Sequence, residues 1–100
     1  MSRLYWTIRA RRDLREIRAY IARDDPVAAS KWVDRLRKRA RVAASTPLAG
    51  RRVPEIARDD VREVILRGYR IVYRTLADSI HVLSVFEGHR RLPEDLTDPS

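Results

Sequence analysis

One hundred residues carry 22 basic and 14 acidic side chains, a formal net charge of +8, with 44% apolar residues and no cysteine. That length holds one domain with one modest core, and apolar residues recurring periodically along the chain argue against disorder. The missing cysteines exclude disulfides and thiolate metal sites. No apolar run reaches the ~18 residues of a membrane span and no apolar signal core opens the chain, so a cytoplasmic protein without membrane attachment is expected.

Leu4, Trp6 and Ile8 alternate with Tyr5 and Thr7, the period of a half-buried strand. The period then changes. Ala10, Leu14, Ile17 and Ile21 form a helical stripe with Tyr20 beside it. Asp24-Asp25-Pro26 ends that helix and begins another, with Asp25 suited to the N-cap and Pro26 to the first helical position. Ala29, Trp32, Val33, Leu36, Ala40 and Ala43 give the second helix its apolar stripe, and so short a connection makes the pair an antiparallel hairpin.

The charge is concentrated here. Residues 1–50 hold 13 basic and 5 acidic side chains, whereas residues 51–100 hold 9 of each. Arg35, Lys38 and Arg39, flanked by Arg37 and Arg41, face away from the stripe of the second helix. Such a face suits either simple solvation or the binding of an acidic partner or nucleic acid, and its uncompensated charge favours binding. Twenty of the 22 basic residues are arginine, which base composition of a genome also produces.

Pro47 to Asp60 has weak periodicity and two prolines, so it reads as a long connection, and Arg51 and Arg52 within it are candidates for partner contact. Three strand patterns follow: Val61–Leu66, Tyr69–Arg74 and Ile80–Phe86. Arg67-Gly68 and Ala77-Asp78 are the turns that make them an antiparallel meander. Glu87 to Pro93 is a basic tail containing His89, Arg90 and Arg91, and residues 93–100 are expected to fray. The whole, residues 1–100, reads as one two-layer α+β domain of order β-α-α-β-β-β. The helical hairpin covers one face of an antiparallel sheet, and Arg62, Arg70, Arg74 and, depending on register, His81 lie on an open, polar face.

Metal, P-loop, dinucleotide and nucleophile-elbow motifs are lacking, so neither a metal nor a cofactor is expected. Metal-free RNA cleavage needs a base, an acid and cations for the phosphorane. Glu63, Arg70, His89 and Arg90 are the set best able to supply them, with His81, Arg62, Arg74 and Arg91 in reserve. A surface role for His81 and a cross-strand ion pair for Glu63 remain the simpler readings.

The order and spacing of several short motifs resemble the RelE/ParE superfamily of type II toxin–antitoxin toxins over residues 4–92. They are Arg12-Asp13-Leu14, Tyr20-Ile21-Ala22, Pro26 with Ala28-Ala29, Trp32-Val33, Gly50-Arg51, Val53-Pro54-Glu55, Arg62-Glu63, Gly68-Tyr69-Arg70-Ile71-Val72-Tyr73-Arg74 and Val85-Phe86 before Gly88. The resemblance implies a growth-arresting toxin neutralised by a cognate antitoxin whose acidic or amphipathic C-terminal segment lies over the helical hairpin, with Trp32, Arg35 and Arg39 as anchors. Pro54-Glu55, Arg62-Glu63 and the Tyr-Arg-Ile-Val-Tyr-Arg strand are closer to the ParE side, whose members poison DNA gyrase without being hydrolases. In that reading Arg51, Arg52, Arg62, Arg70, Arg74, Arg90 and Arg91 meet the target. RelE-like members instead cut messenger RNA on the ribosome. This chain has no lysine after Lys38 and no tyrosine after Tyr73, while His89 keeps that alternative open.

Overall fold

A computed structural model describes residues 2–93 and 95–97. Strand β1 (Arg3–Trp6) leads into helix α1 (Ile8–Ala22) and helix α2 (Pro26–Ser45). A single 3-10 turn (Pro47–Ala49) precedes β2 (Arg51–Arg52), β3 (Val61–Leu66), β4 (Tyr69–Thr75) and β5 (Ser79–Glu87). The two helices pack on one face of a five-stranded sheet of order β1-β5-β4-β3-β2.

The α+β layering expected from the sequence is present, with two differences. The sheet is mixed, because β1 pairs parallel to β5. The expected long connection also contributes a strand, β2, paired antiparallel with β3. Alternation through Ile8 suggested a longer first strand, but Thr7 breaks it. Its Oγ1 accepts the Ala10 N–H at 3.1 Å and donates to the Val82 carbonyl at 2.8 Å, so one hydroxyl caps α1 and ties it to β5. Asp25 caps α2 as expected, accepting the Val27 and Ala28 N–H groups at 3.1 Å each ahead of Pro26.

Both apolar stripes meet the sheet in one core. Leu14, Leu36 and Ala40 pack on Val64, Ile71, Tyr73, Ile80, Val82 and Val85. Val82 and Val85 lie three residues apart yet share this face, because a bulge pairs Tyr73 with Val82 and Val72 with Ser84, skipping Leu83. Beyond Trp6 the outer edge of β5 has no strand partner among the described residues. Asp13 covers it, its Oδ2 accepting the Val85 N–H at 3.0 Å and the Ser84 hydroxyl at 2.6 Å. Arg67 (φ 47°) and Gly68 (φ 84°) form the two-residue turn between β3 and β4.

The opposite sheet face is not the open polar surface expected. Val61 and Val72 lie there beneath Val53 and Leu96, with Ile56, Leu83, Phe86 and Leu92 around them, as a second small core. Leu96 is buried and Asp95 pairs with Arg9 at 2.8 Å. Residues 94 and 98–100 lie outside the described residues.

Tyr73 joins the turn at Pro47–Ala49 to the core. Its hydroxyl donates to the Pro47 carbonyl at 2.7 Å, and a Cβ at residue 50 would collide with the phenol and with the Glu63 carbonyl, so only glycine fits. Gly50→Ala is expected to cost about 1–3 kcal/mol and Tyr73→Phe about 1 kcal/mol, both read from urea unfolding. A Gly50→Ala protein as stable as wild type would contradict this packing.

Candidate functional site

Four charged side chains form a chain across β2, β3, β4 and the loop after β2. Glu63, with a fully buried side chain, sits on β3 between two arginines. Arg51 on β2 donates through Nε to one carboxylate oxygen, and Arg70 on β4 donates through Nε to the other at 2.6 Å. The two terminal nitrogens of Arg70 then grip Glu55 at 2.8 and 2.9 Å, a bidentate pair. The ring of Phe86 lies 5.3 Å beneath the Arg70 guanidinium. The hydrogen bonds from Arg70 hold Glu55 at a pKa of about 2, against 4.5 for a free glutamate, while its carboxylate partners push Arg70 upward.

Glu55 is presented by a tight turn. The Ile56 and Ala57 N–H groups return to the Val53 carbonyl, and Ala57 takes φ 56°, a left-handed conformation uncommon outside glycine. Beside the turn runs an open groove of about 510 Å³. Glu55 and Ile56 form one side, and His89, Arg90, Arg91, Leu92 and Leu96 lie along the tail.

This geometry redistributes the residues singled out in the sequence. Glu63 cannot serve as a proton acceptor for a substrate, because its side chain has no exposed surface and both oxygens are engaged by arginines. Arg70, 8% exposed and bonded through Nε and both terminal nitrogens, is part of the framework rather than of an open face. Removing it would leave the buried Glu63 carboxylate with Arg51 alone and one oxygen without its arginine, which destabilises the fold. Arg62 points to the helix side of the sheet, opposite Tyr73. It donates to the Leu48 and Gly50 carbonyls at 3.2 and 2.9 Å, so it does not share a face with Arg70 and Arg74.

Arg74 pairs with Asp60 at 3.2 Å, and Arg52 bonds Asp59 and the Ala57 carbonyl. The His81 ring packs against Tyr5 at 5.1 Å, away from His89. His89, Arg90 and Arg91 come together, exposed, at the groove, and neither arginine forms an ion pair with a described residue. Trp32, Arg35 and Arg39 lie on the flank of α2 nearest β4, with the Arg35 guanidinium 5.2 Å over the indole and Tyr69 5.5 Å away. The Trp32 indole nitrogen is buried and has no hydrogen-bond partner among the described residues. Among the described residues no acid or histidine cluster could hold a metal, and no helix is long and apolar enough to cross a membrane.

Sequence reasoning missed the part played by Glu55 and Asp60. The signal available was an acid beside Pro54 and an acidic pair at Asp59-Asp60, in a connection otherwise rich in arginine.

A helical hairpin on a mixed five-stranded sheet, with an ion-paired loop under a basic tail, defines a small two-layer α+β fold. A solved structure of a chromosomal ParDE toxin–antitoxin system from P. aeruginosa has the same architecture. Its TM-score is 0.72 at 23% identity, covering 87% of this chain and 96% of that one. Toxin Y4kP, the name given to a protein of Sinorhizobium fredii, is 38% identical over 97 residues, 95% of this chain and 97% of its own. The model of the ParE toxin of type II toxin–antitoxin systems matches residues 4–92. The chain belongs to the ParE toxin family.

The depressed pKa of Glu55 has a sign. Stability from an acid with a lowered folded pKa is present above its ordinary value and disappears as pH falls through the folded value. Glu55→Gln is therefore expected to melt below wild type at pH 6, with the gap closing between pH 4.5 and about 2. Melting temperatures across that range check it, and a gap independent of pH would contradict the pairing.

Proposed function

We propose that this toxin arrests growth by poisoning DNA gyrase in the cytoplasm and that a cognate antitoxin holds it inactive until released. The observation that carries the reading is the exposed basic rim formed by Arg90 and Arg91 beside the groove, on a chain of the ParE family. Arg52 and Arg74, at the periphery, are paired with Asp59 and Asp60, while Arg51, Arg62 and Arg70 act by holding the loop and sheet that carry the rim. The RelE-like alternative, ribosome-dependent RNA cleavage, is weakened by the loss of Glu63 as an accessible base and of Arg70 as an accessible cation. His89 remains the one proton-transfer group at the rim among the described residues.

With purified gyrase, ATP and relaxed plasmid, the protein is expected to abolish supercoiling and leave linear DNA after detergent and protease. Arg90→Ala with Arg91→Ala is expected to lose this effect at unchanged melting temperature. Normal supercoiling by a protein that still stops growth would contradict the gyrase reading and direct attention to ribosome-bound messenger RNA and His89.

The antitoxin is expected to lay an acidic, amphipathic C-terminal segment along α2, using Trp32, Arg35 and Arg39. Arg35 is exposed, and its guanidinium together with the indole presents an apolar surface edged by charge. Charge reversal at Arg35 and Arg39 should weaken binding about tenfold or more. Wild-type affinity should also fall steeply between low and physiological salt. Affinity unmoved by either change, measured by calorimetry, would rule this surface out.

A further inference from the structure

The groove beside the tail combines aliphatic with basic lining residues. Ile56, Leu92, Pro93 and Leu96 supply aliphatic lining, and the guanidinium groups of Arg90 and Arg91 stand at the rim beside the His89 imidazole. Glu55, on one side of the groove, is the acid among the described lining residues, and its side chain is 44% exposed while clamped by the Arg70 fork. Glu63 carries one negative charge shared between Arg51 and Arg70, so the two terminal nitrogens of Arg70 call for a second carboxylate, which Glu55 supplies. Glu55 therefore occupies a preformed two-pronged carboxylate site that faces the groove.

We propose that this groove docks an acidic, aliphatic segment of a partner protein, and that Glu55 is its built-in competitor, displaced from Arg70 when a carboxylate of the partner arrives. A carboxylate presents two oxygens to a guanidinium fork in the geometry Glu55 already adopts. The neighbouring aliphatic lining accepts apolar side chains from the same segment, and Arg90 and Arg91 draw in its remaining charge. Single-stranded nucleic acid fits less well, since no Phe, Tyr or Trp among the described lining residues offers bases a stacking platform. Because Glu55 is tethered beside Arg70, it competes at an effective concentration on the order of millimolar, so only a segment making several contacts displaces it. The left-handed Ala57 closes the turn that delivers Glu55, so the competitor is held in place by backbone as well as by charge.

The test uses the full chain and a fluorescein-labelled 12-residue peptide of repeated Leu-Asp-Glu triplets, with a 12-nucleotide thymidine strand for comparison. Glu55→Ala is expected to bind the peptide about tenfold or more tightly than wild type, and Glu55→Gln, which keeps the side-chain volume, to bind it more tightly as well. Adding Arg91→Ala to Glu55→Ala should abolish the gain. Asp78→Asn removes one negative charge from the exposed turn between β4 and β5, at the opposite end of β5 from the tail, and should leave peptide affinity at the wild-type value. No gain in either Glu55 variant, or an equal gain in Asp78→Asn, would overturn the proposal. So would a gain confined to the thymidine strand, which would assign the groove to nucleic acid. Melting temperatures confirm that each variant is folded. The readout is binding to a defined probe, so its failure leaves the gyrase reading standing, and failure of the gyrase assay leaves this one standing.

Discussion

The carboxylate of Glu63 is sealed under the sheet with an arginine on each side, one from β2 and one from β4. A buried charge is tolerated only when its partners are fixed, and breaking such a pair costs far more than the pair contributes over an apolar substitute. Much of the architecture around the groove follows from that requirement. Arg51 must reach inward, which holds β2 against β3 and gives the connection after α2 a fixed course. Arg70 must present its Nε to Glu63, which leaves its two terminal nitrogens for Glu55 and so pins the turn at residues 53–57. That turn places Val53 and Ile56 over Val61 and Val72, and the tail packs on the same patch through Leu92 and Leu96. A single buried acid thus organises a loop, a second small core and the course of the basic tail.

The elements with strong period were legible in the sequence. The stripes of α1 and α2, the Asp25-Pro26 start and the Arg67-Gly68 turn each rest on local chemistry, and each is where that chemistry put it. What was not legible depends on contacts between distant residues. Parallel pairing of β1 with β5 carries no mark in the four residues of β1. The bulge at Leu83 shifts which side chains of β5 face the helices, and alternation alone did not reveal it. Arg62, Arg70 and Arg74, assigned together to one face, separate because even-numbered positions of β3 and β4 point to opposite sides of the sheet. Glu63 was recognised as a candidate ion-pair member, but its complete burial between two arginines could not be read from an Arg-Glu dipeptide.

The fold separates two kinds of arginine. Arg51, Arg62 and Arg70 spend their hydrogen bonds on the protein's own carbonyls and carboxylates. Arg35, Arg90 and Arg91 are exposed and lie on two different surfaces, the flank of α2 and the rim of the groove. An arginine-rich composition therefore overstates how much charge is available to partners, and it is the exposed subset that partners meet.

The central claim is that Arg70 and Glu63 support the toxic surface while Arg90 and Arg91 belong to it. Growth arrest and melting temperature, measured side by side for Glu63→Gln and for Arg90→Ala with Arg91→Ala, test it directly. The account predicts that Glu63→Gln loses toxicity only in step with its melting temperature, and that the double arginine variant loses toxicity while melting like wild type. A stable Glu63→Gln protein that is no longer toxic, or a fully toxic double variant, would contradict it.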